Sequence, residues 1–286
     1  MTEVPSLGEF FAAWDLFRAP ALAGAVAGCL LGVVGTYVVL RRMVFLSAVL
    51  SQAAGLGIAG SWWLQTAWGV PAALASPTLG ATVATAGVVL AVTVGRAAGG
   101  PQRDALLGWV YLACEAGILA LGTRVVHELH DIEELLHGSA VAVADDQLVF
   151  LAWIAVLLLG LHAWLHRGFV AVVLDADGAR VRGLPVLALE LVGVGSLALA
   201  VAVTTRTLGA LPVFALTILP ALAVLRLAPN VPWALLGAGL VGAACGFAGY
   251  VVAWRWRLPV GAAQALVAVG VAAVGWAVAA APWRRR

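Results

Sequence analysis

The chain has 286 residues, of which 63% are hydrophobic and 10% are charged, with 16 basic residues against 14 acidic ones. Soluble proteins average about 45–50% apolar and about 25% charged residues, so this composition excludes an ordinary water-soluble enzyme. A net charge of only +2 gives no electrostatic support for nucleic-acid binding, and we expect none.

Long apolar runs along the chain predict its membrane spans. A helix needs about 20 mainly apolar residues to cross a bilayer core of about 30 Å. We therefore predict an all-α, polytopic helical membrane protein with about nine transmembrane helices, eight being the alternative count, in a single domain over residues 1–286. The predicted spans are residues 19–40, 44–64, 77–95, 104–123, 148–166, 184–204, 208–228, 232–254 and 259–281.

The segment before the first span, residues 8–18, carries aromatic residues at helical spacing, as in Phe10, Trp14 and Phe17. Such a segment is typical of a helix that lies in the membrane interface, and we expect it there.

The arginines predict the orientation of the chain, because cytoplasmic loops retain basic residues. All sixteen basic residues are arginine, and an external N-terminus places eleven of them in predicted cytoplasmic segments and five outside. This orientation puts the acidic loop 124–147 outside the membrane and the short polar loop 167–183 in the cytoplasm.

Glycines at four-residue spacing predict where two helices meet. Gly24, Gly28 and Gly32 share one face of the first span, and Gly242 and Gly246 repeat the spacing in the eighth. Small residues on one face let helix backbones approach closely in lipid. We expect these faces to pack within the bundle rather than to form a dimer contact.

The sequence gives little support for catalysis. It contains neither a Walker A phosphate loop nor an HExxH pair, so we expect a chain that is no enzyme and has no ATP site of its own. Three histidines, His127, His130 and His137, lie among acidic residues in the external loop. Imidazole and carboxylate suit divalent transition metals, and the loop is interpreted either as a metal-collecting site or as a solvated acidic segment.

Three ionisable residues lie within predicted spans, where such groups are costly and often functional. Glu115 occupies the middle of the fourth span, and both a functional and a structural role stay open for it. Glu190 and His162 lie nearer the ends of their spans, and a structural role is favoured for each.

The cytoplasmic loop contains a short polar segment, Asp175 to Gly183, that predicts a surface helix. Asp175 can cap its N-terminus and Gly183 can end it. A capped helix between two spans suits docking to a soluble partner.

Four stretches resemble the ABC-3 permease family, the membrane subunits of ABC-type zinc and manganese importers. Gly32 to Met43 (GVVGTYVVLRRM) resembles the family's first span and the turn after it, and Glu134 to Val143 (ELLHGSAVAV) resembles its Leu-Phe-Gly-Ser segment. Asp175 to Gly183 is similar to its coupling helix, and Leu211 to Arg226 (LPVFALTILPALAVLR) to its proline-containing span.

The resemblance implies a homodimeric permease in the cytoplasmic membrane of a bacterium. A cytoplasmic ABC ATPase would hydrolyse ATP, and an extracytoplasmic binding protein would deliver zinc or manganese. The chain itself would bind no cofactor. The residues expected to dock in the ATPase groove are Asp175, Asp177, Ala179, Arg180 and Gly183.

One pair of positions departs from the family. Its second helix carries an Asp and a His one turn apart as metal ligands, and here these positions are Ala48 and Gln52. The resemblance and the polar positions together predict a translocation path formed by Ser47, Ala48, Ser51, Gln52, Glu115, Thr217 and Pro220.

Three explanations of the departure stay open. The ligands could be Glu115, His162 or the external histidines, the ion could be held weakly, or the substrate could be no transition metal. The alternative functions are the same ABC permease with a non-standard substrate, a secondary transporter or channel that works alone, and a non-transporting scaffold.

Overall fold

The computed structural model describes residues 7–94, 101–124 and 143–280, and this part of the chain is helical with short connections. Its helices, numbered in chain order, are α1 (Leu7–Ala12), α2 (Trp14–Leu40), α3 (Val44–Trp68), α4 (Pro77–Val94), α5 (Pro101–Gly122), α6 (Asp145–Trp164), α7 (His166–Leu174), α8 (Ala176–Val181), α9 (Val186–Leu208), α10 (Ala210–Leu225), α11 (Val231–Trp256) and α12 (Val260–Ala280).

Nine of these helices correspond one for one to the nine predicted spans. Helices α2, α3, α5, α6, α9, α11 and α12 are long and apolar enough to cross a membrane, and the apolar helices α4 and α10 are shorter. The prediction of a polytopic all-α membrane protein is confirmed.

Ion pairs join helix ends that the predicted topology places on the same side of the membrane. Arg18 and Asp145, both predicted to be external, lie 2.9 Å apart. Arg41, predicted to be cytoplasmic, lies 2.7 Å from Glu190, which is predicted to lie a few residues inside the cytoplasmic end of the sixth span. These contacts agree with spans that cross alternately, while the absolute direction stays a prediction from the arginine count.

Helices α2 and α11 pack through their glycines. A Cβ atom added to Gly28 would overlap the carbonyl oxygen of Gly242, and one added to Gly246 would overlap that of Gly24. Neither backbone could approach the other so closely if these positions carried side chains. The expectation that the glycine faces pack within the bundle is confirmed.

The segment before the first span packs against the C-terminal end of α11. The ring of Phe10, which is fully buried, stacks on Phe17 at 5.3 Å and meets the ring of Trp254 edge-on at 5.4 Å. The aromatic residues of α1 and early α2 thereby form one cluster with the end of α11.

Candidate functional site

Helices α3, α5 and α10 line a cavity of about 240 Å³. Ala48 and Gln52 are one turn apart on α3, and Tyr111 and Glu115 are one turn apart on α5, so each pair shares a helix face. The cavity brings together four residues predicted for the translocation path, Ala48, Ser51, Gln52 and Glu115. The described residues that line it are Ala48, Ser51, Gln52, Tyr111, Glu115, Ala210, Leu211 and Phe214.

Two side-chain oxygens of this lining are buried without a hydrogen-bond partner among the described residues, Oε1 of Gln52 and Oε2 of Glu115. Buried polar atoms are nearly always paired, and an unpaired one costs about 1–3 kcal/mol. Both oxygens belong to residues that line the same cavity, so the unpaired polar groups of this region are concentrated there.

The lining of the cavity is electrically unbalanced. Among the described residues that line it there is one carboxylate, that of Glu115, and no basic side chain. The first turn of α10 also borders the cavity, but a helix N-terminus contributes only about half an elementary positive charge. The cavity thus favours a positively charged occupant when Glu115 is ionised.

The other residues predicted for the path lie elsewhere. Ser47 is fully buried and donates a 2.7 Å hydrogen bond to the carbonyl of Val44 on its own helix. Thr217 is also fully buried, and its carbonyl oxygen lies where a Cβ atom of Gly35 would be. Pro220 lies buried inside α10. Thr217 therefore packs α10 against α2, and none of the three residues lines the cavity.

His162 lies in a different part of the bundle from Glu115. Its Nδ1 lies 2.9 Å from the carbonyl of Leu158, and its Nε2 lies 3.3 Å from the hydroxyl of Ser196. The ring lies beside Tyr37 in the lining of a small, mainly apolar cavity of about 40 Å³. The Ser196 hydroxyl also lies 2.9 Å from the carbonyl of Gly193, so its one proton serves either that carbonyl or Nε2. These contacts tie the ring to its own helix and to α9, as expected for a structural histidine.

Glu190 forms an ion pair with Arg41 and is not among the described residues that line the cavity between α3, α5 and α10. The two side chains lie 2.7 Å apart and are 18% and 15% exposed, respectively. They line an open groove of about 520 Å³ together with Arg42 and Arg180. This groove connects the end of α2 with the polar segment that contains α8.

Helix α8 has the capped form expected from the sequence. The Oδ1 of Asp175 accepts a 2.9 Å hydrogen bond from the backbone N–H of Gly178. After the helix, Gly183 has φ +78°, a left-handed conformation that glycine adopts easily. Asp177 and Arg180 pair on the outer face and are 91% and 67% exposed, so both charges are available to a partner.

The inner face of α8 is fixed by a second apolar core, separate from the main one. Ala179 of α8 is fully buried and packs in one cluster with Tyr37 from α2, Phe169 from α7, Leu189 from α9 and Leu235 from α11. Close packing therefore couples the position of α8 to the adjacent ends of these helices.

The histidines His127, His130 and His137 lie outside the described residues. Within residues 7–94, 101–124 and 143–280, no group of three or more His, Cys, Asp or Glu residues is placed to hold a metal ion.

The sequence did not single out the remaining cavity residues. Tyr111 lies one turn before Glu115, and this helical spacing is a signal that could have identified it. Ala210, Leu211 and Phe214 carry no such signal, because their position depends on how α10 packs beside α3.

Comparison with known proteins adds a family and a fold. The sequence profile of the ABC 3 transport family matches residues 14–279. The chain is 27% identical to the uncharacterized membrane protein slr2045 of Synechocystis, over 89% of this chain and 88% of that protein. It is also 27% identical to the manganese transport system membrane protein MntD of Bacillus subtilis, with the same two coverages. The structure of PsaBC from Streptococcus pneumoniae in complex with Fab superposes with a TM-score of 0.82 at 20% identity, covering 95% of each chain.

Proposed function

The chain belongs to the ABC 3 transport family, and on that premise we propose that it is the permease subunit of an ATP-binding-cassette importer for a divalent metal ion. Zinc or manganese would be delivered by an extracytoplasmic binding protein. Two copies of the chain would form the permease in the cytoplasmic membrane of a bacterium, and a separate cytoplasmic ATPase would hydrolyse ATP.

The observation that carries this proposal is the cavity between α3, α5 and α10, which contains the carboxylate of Glu115. Ionisable side chains within membrane spans are expensive and mark ion pathways. Glu115 lines this cavity with Gln52, and each has a buried oxygen that finds no hydrogen-bond partner in the described part of the chain. A cation that passes along the bundle would meet oxygen ligands here.

Helix α8 supplies the second part of the proposed function, docking to the ATPase. Its outer face presents the exposed charges of Asp177 and Arg180, while Ala179 anchors its inner face in the second apolar core. When the ATPase moves α8, the core would transmit the displacement to the end of α2 at Tyr37 and Leu40. Only three residues separate α2 from α3, so the movement would reach the side of the cavity formed by α3.

ATPase docking can be tested by reversing both exposed charges of α8. The double variant Asp177→Arg, Arg180→Glu should fold normally, because both side chains are exposed, but should lose copurification with a cytoplasmic ABC ATPase of the same organism. Asp146→Arg, an exposed charge reversal at the opposite end of the bundle, is the matched control and should retain the ATPase. A stable complex between the ATPase and the double variant would contradict the proposal.

Transport itself is tested in proteoliposomes that contain the permease, the ATPase and the binding protein. We expect uptake of radioactive manganese or zinc only when ATP is supplied on the ATPase side. Metal flux through the chain alone, without ATP or partners, would instead support a secondary transporter that uses Glu115 as its intramembrane carboxylate.

A further inference from the structure

Two cavities lie in line along the pair of helices α4 and α9. The first, here called the outer pocket, has a volume of about 430 Å³ and is bordered by Thr78 of α4 and Val203 of α9. The second, here called the apolar groove, has a volume of about 240 Å³ and begins one helix turn further along both helices, at Thr82 and Leu199. Together they run from the predicted external ends of α4 and α9 into the depth of the membrane.

The apolar groove presents a hydrocarbon-like surface. Its three threonines, Thr82, Thr85 and Thr93, donate their hydroxyl protons to carbonyls of the preceding turn of α4, at 2.7, 3.1 and 2.7 Å. Their hydroxyls are therefore satisfied on their own helix. The other described residues that line the groove are all apolar, namely Ala86, Val89, Leu90, Leu191, Gly195, Ala198 and Leu199.

The length of the groove matches one leaflet of a bilayer. Between Thr82 and Thr93, α4 rises about 16 Å at about 1.5 Å per residue. Half of a hydrocarbon core of about 30 Å has nearly the same depth. Gly195 keeps the groove open, because a Cβ atom added there would meet nothing within 4 Å. The groove can therefore accept the acyl chain of a lipid.

The outer pocket brings together opposite charges from two helices. Arg206 belongs to the last turn of α9 and Asp146 to the first turn of α6. Arg206 donates one of its five N–H groups to the hydroxyl of Thr78. Neither Arg206 nor Asp146 forms an ion pair with a residue that the structure describes. Both charges are therefore available to a ligand that carries a negative and a positive group.

We propose that the outer pocket and the apolar groove together bind a phospholipid of the outer leaflet whose headgroup is of the phosphoethanolamine class. The lipid phosphate accepts hydrogen bonds from the guanidinium of Arg206, and the lipid ammonium donates to the carboxylate of Asp146. One acyl chain lies between α4 and α9. This site is separate from the cavity that contains Glu115, and it does not depend on which ion the chain transports.

The charged groups of the outer pocket must supply the selectivity of the site. Lipid tails are as apolar as the side chains of the groove, so an acyl chain gains little by leaving the surrounding lipid. Arg206 favours any phosphate, whereas Asp146 favours a headgroup that also carries an ammonium. We therefore expect phosphatidylethanolamine to bind more tightly than phosphatidylglycerol, which has a glycerol in place of the ammonium.

Headgroup preference is measured on the purified full-length chain in detergent, by native mass spectrometry with phosphatidylethanolamine or phosphatidylglycerol as the added probe. We expect phosphatidylethanolamine to bind at least about threefold more tightly, the effect of one exposed ion pair. Asp146→Asn should abolish this preference. Equal affinities of the wild-type chain for the two lipids, or a preference that survives in Asp146→Asn, would overturn the proposal.

Removal of the guanidinium tests the phosphate contact. Arg206→Gln should weaken phosphatidylethanolamine binding by at least about fivefold, because it removes a charge-assisted hydrogen bond. Arg124→Gln is the matched control, since Arg124 is also an exposed arginine that is predicted to be external, and it should leave lipid affinity unchanged. Equal affinities of the two variants would contradict the assigned role of Arg206.

A variant that fills the groove tests the acyl chain without removing a polar contact. Gly195→Leu places a side chain in the open space of the groove and should weaken phosphatidylethanolamine binding by at least about fivefold. Gly87→Leu is the matched control, because a Cβ atom at Gly87 also meets nothing within 4 Å and Gly87 does not border the groove. Both substitutions raise helix propensity, so both chains should fold.

The same pair of variants distinguishes a lipid from a second copy of the chain. If a second copy covered the groove, Gly195→Leu would change the oligomeric state measured by native mass spectrometry and leave lipid binding intact. That result would overturn the proposal. Loss of the lipid in Gly195→Leu, with binding retained in Gly87→Leu, is the result that the lipid site predicts.

Discussion

Arg41 and Glu190 form a largely buried ion pair, 2.7 Å long, between the end of α2 and the second turn of α9, although they are 149 residues apart in the sequence. The pair joins the end of α2 to α9, the spanning helix that follows the polar segment and α8. It also borders the groove that contains Arg180, so it lies where motion of α8 enters the bundle.

Loss of Arg41 should destabilise the protein clearly, because a carboxylate that is 18% exposed would lose a charge-assisted hydrogen bond. We expect Arg41→Ala to lower the free energy of unfolding by about 1.5–3 kcal/mol, measured by thermal unfolding in one detergent. Arg18→Ala, which breaks the exposed pair with Asp145, should cost less than about 1 kcal/mol. Equal losses of unfolding free energy in the two variants would contradict the argument that the buried ion pair stabilises the protein more than the exposed one.

The close approach of α2 and α11 should be sensitive to a single methyl group. In Gly28→Ala the new Cβ atom would meet the carbonyl of Gly242, so the helices must separate, at a cost of about 1–3 kcal/mol. Gly60→Ala on α3 is the matched control, because a Cβ atom there meets nothing within 4 Å. That control should stabilise the protein by about 0.5–1 kcal/mol through its helix propensity, and the two melting temperatures should shift in opposite directions.

The N-terminal cap of α8 should matter for its hydrogen bond rather than for its charge. Asp175→Ala removes the acceptor for the N–H of Gly178 and should destabilise α8 by about 1 kcal/mol. Asp175→Asn retains an oxygen acceptor and should preserve the helix. On the proposed function, capture of the ATPase should fall in the alanine variant and persist in the asparagine variant. Loss of capture in both variants would point to the charge instead.

The aromatic cluster before the first span should contribute strongly to stability. Phe10 is fully buried among Phe17, Tyr250 and Trp254, and Phe10→Ala should cost about 3–5 kcal/mol. Its neighbour Phe11 is 59% exposed, and Phe11→Ala should change the melting temperature much less. Comparable shifts would show that the N-terminal segment does not pack as described.

The spans could be predicted because apolar length is a local property of the sequence. The second predicted span, 44–64, continues to Trp68 because the residue that ends the helix is Gly69 with φ +63°. The first helix begins at Trp14 rather than at residue 19, since the helix continues past the charged residues that interrupt the apolar run.

The cavity could be predicted only in part. Ala48, Ser51 and Gln52 share a helix face, and Glu115 is recognisable as a carboxylate inside a span. No sequence pattern indicates that the first turn of α10 closes the cavity beside them, because that depends on tertiary packing between helices far apart in the chain. The position of Thr217 could not be predicted for the same reason. It packs against α2 because Gly35, which is far away in the sequence, leaves room for its backbone.

The second apolar core has a consequence for attempts to exchange ATPase partners between relatives. Ala179 is buried in one apolar cluster with Tyr37 and Leu235, so the inner face of α8 packs against residues that are distant in the sequence. In a chimera that replaces only α8 with the corresponding helix of a relative, the inner face of the new helix would not match the residues that it packs against. Successful transplantation requires the apolar inner face of α8 and its receiving residues to be exchanged as one unit.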